Sequence, residues 1–242
     1  MPKALSIAPN RHAEHPFDLK YGTDTGGYLS PEQLRGGQTN DAMNNGYSAV
    51  APSVFREACR RWRETLPSSA RAEAYTFVDV GAGKGRALLL AGELPFRKVI
   101  GVELNEKLAC VAQRNVALWS AVARPRAKIR IMRSDALEFR WPRPPLFVYL
   151  NNPFECELIE RLAKSIAEAA ASGPGLVDLI YVNPACADTL TRNGNFNLLW
   201  NAQIEMNGAD QQADPYGAAS DQVSAFRFYT QAGSRAILKP KP

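Results

Sequence analysis

The sequence predicts an α/β fold: a doubly wound, mostly parallel sheet of seven strands with helices on both faces, an antiparallel last strand, and an N-terminal extension. Three observations carry that reading. From residue 76 onward, short runs rich in Val, Ile and Leu alternate with helical stretches. Those runs are apolar at consecutive positions, as strands buried on both faces require. The last two runs have no helix between them, which suits a closing antiparallel pair.

Taken in order, residues 1–50 read as irregular, with GGYLSPEQLRGG and NDAMNNGY as loop-like stretches. A helix is expected from Pro52 to Thr65, where Ala58, Trp62 and Leu66 recur at i, i+4 and i+8. Residues 1–66 are therefore assigned to an extension or lid, and 67–242 to the main domain. Strands follow at 76–81, 98–104, 128–134, 146–151 and 178–183. Helices are expected at 85–94, at 105–120 with Leu108, Val111, Ala112, Asn115 and Leu118 on one stripe, and at 157–172. The tail supplies strands at 195–206 and 224–239 around a polar loop, 207–222.

Composition narrows the chemistry. Hydrophobic residues make up 45% of 242, enough for a sizeable core. No apolar run approaches the ~20 residues of a membrane span, and the first residues lack the hydrophobic region of a secretory signal. A cytoplasmic protein is expected. Cys59, Cys110, Cys156 and Cys186 stand 51, 46 and 30 residues apart with no CxxC pair, so all four are read as small apolar thiols. The only histidines are His12 and His15, which leaves neither a His/Cys zinc site nor a Ser-His-Asp triad in the core. No metal is expected. Net charge is +5, but residues 97–143 alone carry +7, including Arg124, Arg126, Lys128, Arg130 and Arg133. With no aromatic run interleaved among the basic residues, this stripe reads as a solvated surface, and a nucleic-acid partner is not expected.

The sharpest signal is Asp79-Val80-Gly81-Ala82-Gly83-Lys84-Gly85-Arg86, where a strand turns into a helix. Open α/β sheets bind ligands at such strand ends. A dinucleotide fingerprint would need Gly at position 86, where Arg86 stands. A phosphate-binding P-loop would need Gly at 78 and Ser or Thr at 85, where Val78 and Gly85 stand. Glu103 closes the second strand, 22 residues after Gly81, placed to accept hydrogen bonds from both hydroxyls of a ribose.

The ordered set resembles the class I, seven-β-strand, Rossmann-like S-adenosylmethionine-dependent methyltransferases. It consists of D-x-G-x-G-x-G, V-E-L, Ser134-Asp135-Ala136 and Asn151-Asn152-Pro153-Phe154, and the resemblance spans about 76–240. It implies S-adenosylmethionine as cofactor and S-adenosylhomocysteine as product. Asp79, Gly81, Gly83 and Gly85 would border the methionine part, Glu103 would hold the ribose, and Asp135 with Ala136 would meet the adenine; Asp135 also fits a helix cap before Leu137. Asn151, Asn152 and Phe154 would be catalytic, Asn151 also bordering the cofactor and Pro153 the substrate. This box is similar to the [DN]-P-P-[FY] box of N-methyltransferases acting on adenine and glutamine amides, with Asn152 in place of Pro. It is also similar to that of seven-strand lysine methyltransferases.

An Asn carbonyl there can accept a substrate N–H and aim the nitrogen lone pair at the methyl, so transfer to nitrogen is favoured, with a protein lysine as the expected acceptor. A small-molecule N- or O-methyltransferase and a non-catalytic S-adenosylmethionine-binding regulator are the alternatives. A nicotinamide oxidoreductase is disfavoured by Arg86. The leader resembles that of small lysine methyltransferases, making Tyr21, Asp24 and Tyr47 the substrate-contact candidates, with plain packing the competing role for the tyrosines.

Overall fold

The computed structural model describes residues 14–37, 41–171, 173–192 and 196–228. The leader holds two short helices, α1 (Pro16–Tyr21) and α2 (Pro31–Leu34), and a two-residue antiparallel pair, β1 (Tyr28–Leu29) with β2 (Tyr47–Ser48). α3 (Pro52–Glu64) follows, with Pro at its first position, where the missing N–H costs no helical bond. The sheet comprises β3 (Thr76–Val80), β4 (Lys98–Glu103), β5 (Ile129–Arg133), β6 (Leu146–Asn151), β7 (Val177–Val182), β8 (Asn197–Glu205) and β9 (Ser220–Phe228). Its helices are α4 (Arg86–Gly92), α5 (Glu106–Val122), α6 (Cys156–Ala171) and α7 (Ala187–Arg192), with α8 (Gly208–Ala213) between β8 and β9.

Strand order is β5-β4-β3-β6-β7-β9-β8, parallel from β5 to β7, with β9 antiparallel to both its neighbours. The chain winds outward from β3 to β5 and then jumps back to β6, so β3 and β6 flank the switch point. β9 begins four residues before the expected 224, inside what reads as a polar loop. Its final expected stretch, 229–239, lies outside the described residues.

Two apolar layers sandwich the sheet. On one face α3 packs Phe55 against Phe77 and Tyr149, while Trp62 meets Tyr75, Phe96 and Phe147. The Trp62 indole donates to buried Asp178 at 2.7 Å, and Arg227 pairs with the same carboxylate, binding α3 to β7 and β9. On the other face α6 buries Leu158, Leu162 and Ile166 against the sheet. On α5 the buried stripe is Leu108, Ala112, Asn115 and Trp119, whereas Leu118 lies open to solvent. Helical phase places Trp119 four residues past Asn115 on the same line, so it supplants Leu118.

The cysteine expectation is overturned. Cys156 and Cys186 form a disulfide with Cα atoms 5.3 Å apart, while Cys59 is a buried thiol and Cys110 an exposed one. β6 and β7 are parallel neighbours in register (Asn151 beside Val182), so the segments leaving them run side by side and bring together cysteines 30 residues apart. Disulfides are rare in reducing compartments, so this pairing removes the support that four free thiols lent to a cytoplasmic location. Among the described residues no helix is long and apolar enough to cross a membrane.

Candidate active site

The carboxyl ends of β3, β4, β5 and β6 open into one cavity roofed by the leader. At its centre the chain leaves β3 through Gly81 and Gly83, both at positive φ (76° and 54°). A Cβ on Gly81 would stand 2.8 Å from Pro153, and one on Gly83 would stand 2.2 Å from the Tyr47 ring. Only glycine fits both the backbone and the space there. Gly85 caps α4 but packs against Ala112 of α5 and lies outside the cavity lining.

Glu103 is buried at the tip of β4, its two oxygens accepting the amides of Gly83 (2.7 Å) and Asn105 (2.8 Å). Burial raises its carboxyl above the ordinary value against the pull of those bonds. Asp79, one strand over, is pushed up to about 8 by burial and then by neighbouring Glu103. Two buried carboxyls thus face one cavity. Ser134, Asp135 and Ala136 form its wall beyond Glu103; Asp135 accepts the Leu137 amide at 2.8 Å within a turn, and no helix follows for it to cap.

The Asn-Asn-Pro-Phe turn separates its two asparagines. Asn151 lines the cavity with Pro153 and Phe154. Asn152, at φ 42°, turns out of the lining, and its side-chain carbonyl accepts the Tyr181 hydroxyl at 3.2 Å. The leader seals this turn like an added strand. Asn45 donates its amide to Pro153, Glu155 donates to Met43, and Asn44 bridges Phe154. The Asn151 side-chain amide donates to the Ser48 carbonyl at 3.1 Å.

No protein-family model matches the sequence, and no curated protein matches it at a significant level. Solved structures do match in three dimensions. One concerned with the conversion of a disulfide bond into a thioacetal group during echinomycin biosynthesis is 15% identical, with 78% of this chain and 88% of that chain covered at a TM-score of 0.51. The chain has the class I methyltransferase fold. Structures less closely superposed include TrmN from Thermus thermophilus (18% identity, 74% and 49% covered, TM-score 0.47). The N-methyltransferase NodS from Bradyrhizobium japonicum WM9, in complex with S-adenosylhomocysteine, is 13% identical (72% and 86% covered, TM-score 0.46). The chain spans about half the length of TrmN.

Within this class I fold the three leader candidates part company. Tyr47 lines the cavity: its ring covers Gly83, its hydroxyl donates to the Thr25 carbonyl at 2.6 Å, and burial pushes its phenol up. Tyr21 packs edge-on against Phe17 and Trp119, away from the cavity. Asp24 lies beyond the glycine loop, paired to Lys84 at 2.8 Å and open to solvent on the rim of a second hollow. Arg86 fastens the leader by pairing with buried Asp18 at 2.8 Å and donating to Thr25 at 2.6 Å. Burial works to raise the Asp18 carboxyl, but Arg86 and the hydrogen bonds of Thr23 and Thr25 outweigh it and hold it low. Asn44, Asn45, Ser48 and Tyr149 also border the cavity without any motif to mark them in the sequence. Among the described residues no group of three or more His, Cys, Asp or Glu could hold a metal.

Proposed function

We propose that this chain transfers a methyl group from S-adenosylmethionine to a nitrogen acceptor. The carrying observation is that Gly81, Gly83, Glu103, Asp135, Asn151 and Phe154, drawn from four separate strand ends, line one cavity. These residues fit the cofactor. The two glycines carry the loop along the cavity at positive φ, packed under Pro153 and the Tyr47 ring where a Cβ would collide. A carboxylate has about four acceptor sites, so Glu103 can take two ribose hydroxyls beside the two amides it already holds. Asp135 and Ala136 line the same cavity, where they would border the adenine end.

When bound, the cofactor supplies an electrophilic methyl on a sulfonium; the chain's work is positioning, which can contribute up to ~7–11 kcal/mol. Because the Asn151 amide nitrogen is committed to the Ser48 carbonyl, its oxygen is the end left to accept an N–H and orient the nitrogen lone pair. Phe154, Leu158 and Val50 give the cavity an apolar wall that lowers an amine's pKa by desolvation, favouring the neutral nucleophile. A protein lysine is the first acceptor to test and small amines the second. A transfer RNA joins the screen because Arg124, Arg126, Lys128, Arg130 and Arg133 are exposed beside and along edge strand β5. The regulatory reading is favoured by one observation, the leader hydrogen-bonded across the Asn151–Glu155 turn.

The test is calorimetric titration with S-adenosylhomocysteine followed by a labelled-methyl screen over these acceptor classes. Binding that disappears in Glu103→Ala is expected. Asn151→Ala should cut turnover by about a hundredfold, a ~2.7 kcal/mol loss, well beyond any weakening of cofactor binding. Absence of binding by folded protein refutes the proposal, and binding with no methylated acceptor leaves the regulator.

A further inference from the structure

From Lys107 to Ser134 the chain carries seven Lys or Arg and no Asp or Glu. The fold gathers part of that charge in one place. α5 runs back along the strands, away from the carboxyl edge that bears the cavity, and delivers Arg124, Arg126 and Lys128 to the amino edge at the start of β5. The parallel register pairs Val99 with Ile129, and the Val99 amide donates to the Lys128 carbonyl at 3.1 Å, so Lys98 of β4 and Lys128 are neighbours there. The Arg126 amide donates to the Gly92 carbonyl at 2.9 Å, which fastens the segment to the end of α4. Lys98, Arg124, Arg126 and Lys128 are all exposed, and among the described residues none has an ion pair or a side-chain hydrogen bond. Of the acids at this edge, Glu93 is paired with Arg56 at 3.1 Å, and Glu73 is exposed ahead of β3.

The helix that leads to this cluster is apolar on its outside. Over its last two turns the exposed residues of α5 are Ala117, Leu118, Ala121 and Val122, with Val122 64% exposed. The inner side of those turns, Asn115 and Trp119, is already buried. A surface helix ordinarily turns charged and polar residues outward, and one that is apolar all round is ordinarily covered. Among the described residues nothing covers these turns.

An apolar ridge running into unpaired cations combines the two features that hold a protein at a lipid–water interface. Apolar side chains enter the acyl boundary while cations meet anionic headgroups. A nucleic acid would use the cations alone, and the exposed residues here offer no aromatic ring on which a base could stack. We infer that the end of α5 and the amino edge of β4 and β5 form a docking surface for an anionic phospholipid bilayer. Leu118 and Val122 enter the boundary between headgroups and acyl chains, and Lys98, Arg124, Arg126 and Lys128 meet the anionic headgroups. The cavity lies at the opposite edge of the sheet, so docking leaves it open to solution. Docking needs neither cofactor nor acceptor, and it stands or falls apart from the methyltransferase reading.

The experiment is co-sedimentation of the full chain with vesicles of phosphatidylcholine alone and of phosphatidylcholine mixed with phosphatidylserine. Binding to the mixed vesicles, weakened by added salt, and none to phosphatidylcholine alone is expected. Each cation near an anionic surface is worth about fivefold in affinity, so Arg124→Gln/Arg126→Gln/Lys128→Gln should bind about a hundredfold more weakly. Leu118→Gln/Val122→Gln keeps every charge and should still lose at least about tenfold. Both variants replace exposed side chains only, and each should keep wild-type affinity for S-adenosylhomocysteine, which verifies the fold. A single-stranded RNA oligonucleotide is titrated beside the vesicles. Equal binding to both vesicle types, no binding to either, an apolar variant that binds as well as wild type, or capture of RNA without capture of vesicles overturns the docking surface.

Discussion

The Cys156–Cys186 bond gives a prediction with a magnitude. Cross-linking residues 30 apart restricts the unfolded chain, and the loop-closure relation for about 30 residues gives about 3.6 kcal/mol at 25 °C. For a chain of this size each kcal/mol moves the melting temperature by about 2–4 °C, so losing the bond should lower Tm by roughly 7–14 °C. The assay is thermal unfolding of wild type with and without a phosphine reductant, beside Cys156→Ser/Cys186→Ser. Thiol titration under denaturing conditions should count only Cys59 and Cys110 before reduction and all four cysteines after it. The double variant should melt where reduced wild type does and ignore the reductant. Exposed Cys156 gives the reductant access. Four titratable thiols before reduction, or equal Tm after complete reduction, would refute the reasoning.

Other expectations follow from single contacts. Arg86→Met leaves the Asp18 carboxylate buried without its cation, so it should cost about 3–5 kcal/mol and expose residues 14–37 to limited proteolysis. Gly83→Ala drives a Cβ into the Tyr47 ring and should weaken S-adenosylhomocysteine binding. Gly83→Ala/Tyr47→Ala should recover part of that loss, a coupling that a double-mutant cycle reads directly. Phe55→Ala removes a wholly buried ring from between α3 and the sheet and should destabilise by about 3–5 kcal/mol in a denaturant titration. The raised Asp79 carboxyl means the folded state holds a proton that the unfolded chain has released. Its contribution is full below the unfolded value of about 3.9 and is lost as pH rises through about 8. Asp79→Asn should therefore flatten the decline in stability across that window, and an unaltered pH profile would count against the burial argument.

The leader emerges as more than a covering. Its hydrogen bonds to the Asn151–Glu155 turn fix the orientation of the Asn151 amide, so this side of the cavity is built jointly by residues about a hundred positions apart. A second anchor holds it from below, where buried His15 hydrogen-bonds Asp210 at 2.9 Å and Ser53 donates to the same carboxylate. Burial works to raise Asp210, but His15 and Ser53 hold it below its ordinary value.

What the sequence determined by itself is what short-range chemistry encodes. Continuous apolar runs mark strands buried on both faces, and their alternation with helices forces a parallel sheet. Gly81, Gly83 and Glu103 were legible because a tight turn and a strand tip are set within a few residues, at a spacing the βαβ unit fixes. What only the tertiary structure decided depends on which distant segments become neighbours. Asn151 and Asn152 are adjacent and chemically identical, and only the left-handed turn and Tyr181 separate their placement, one at the cavity and one away from it. Tyr21 and Tyr47 look alike in a loop, yet one packs on Trp119 and the other on Gly83. The Cys156–Cys186 bond follows from strand register, which brings side chains together across long stretches of chain and leaves no local periodicity to betray it.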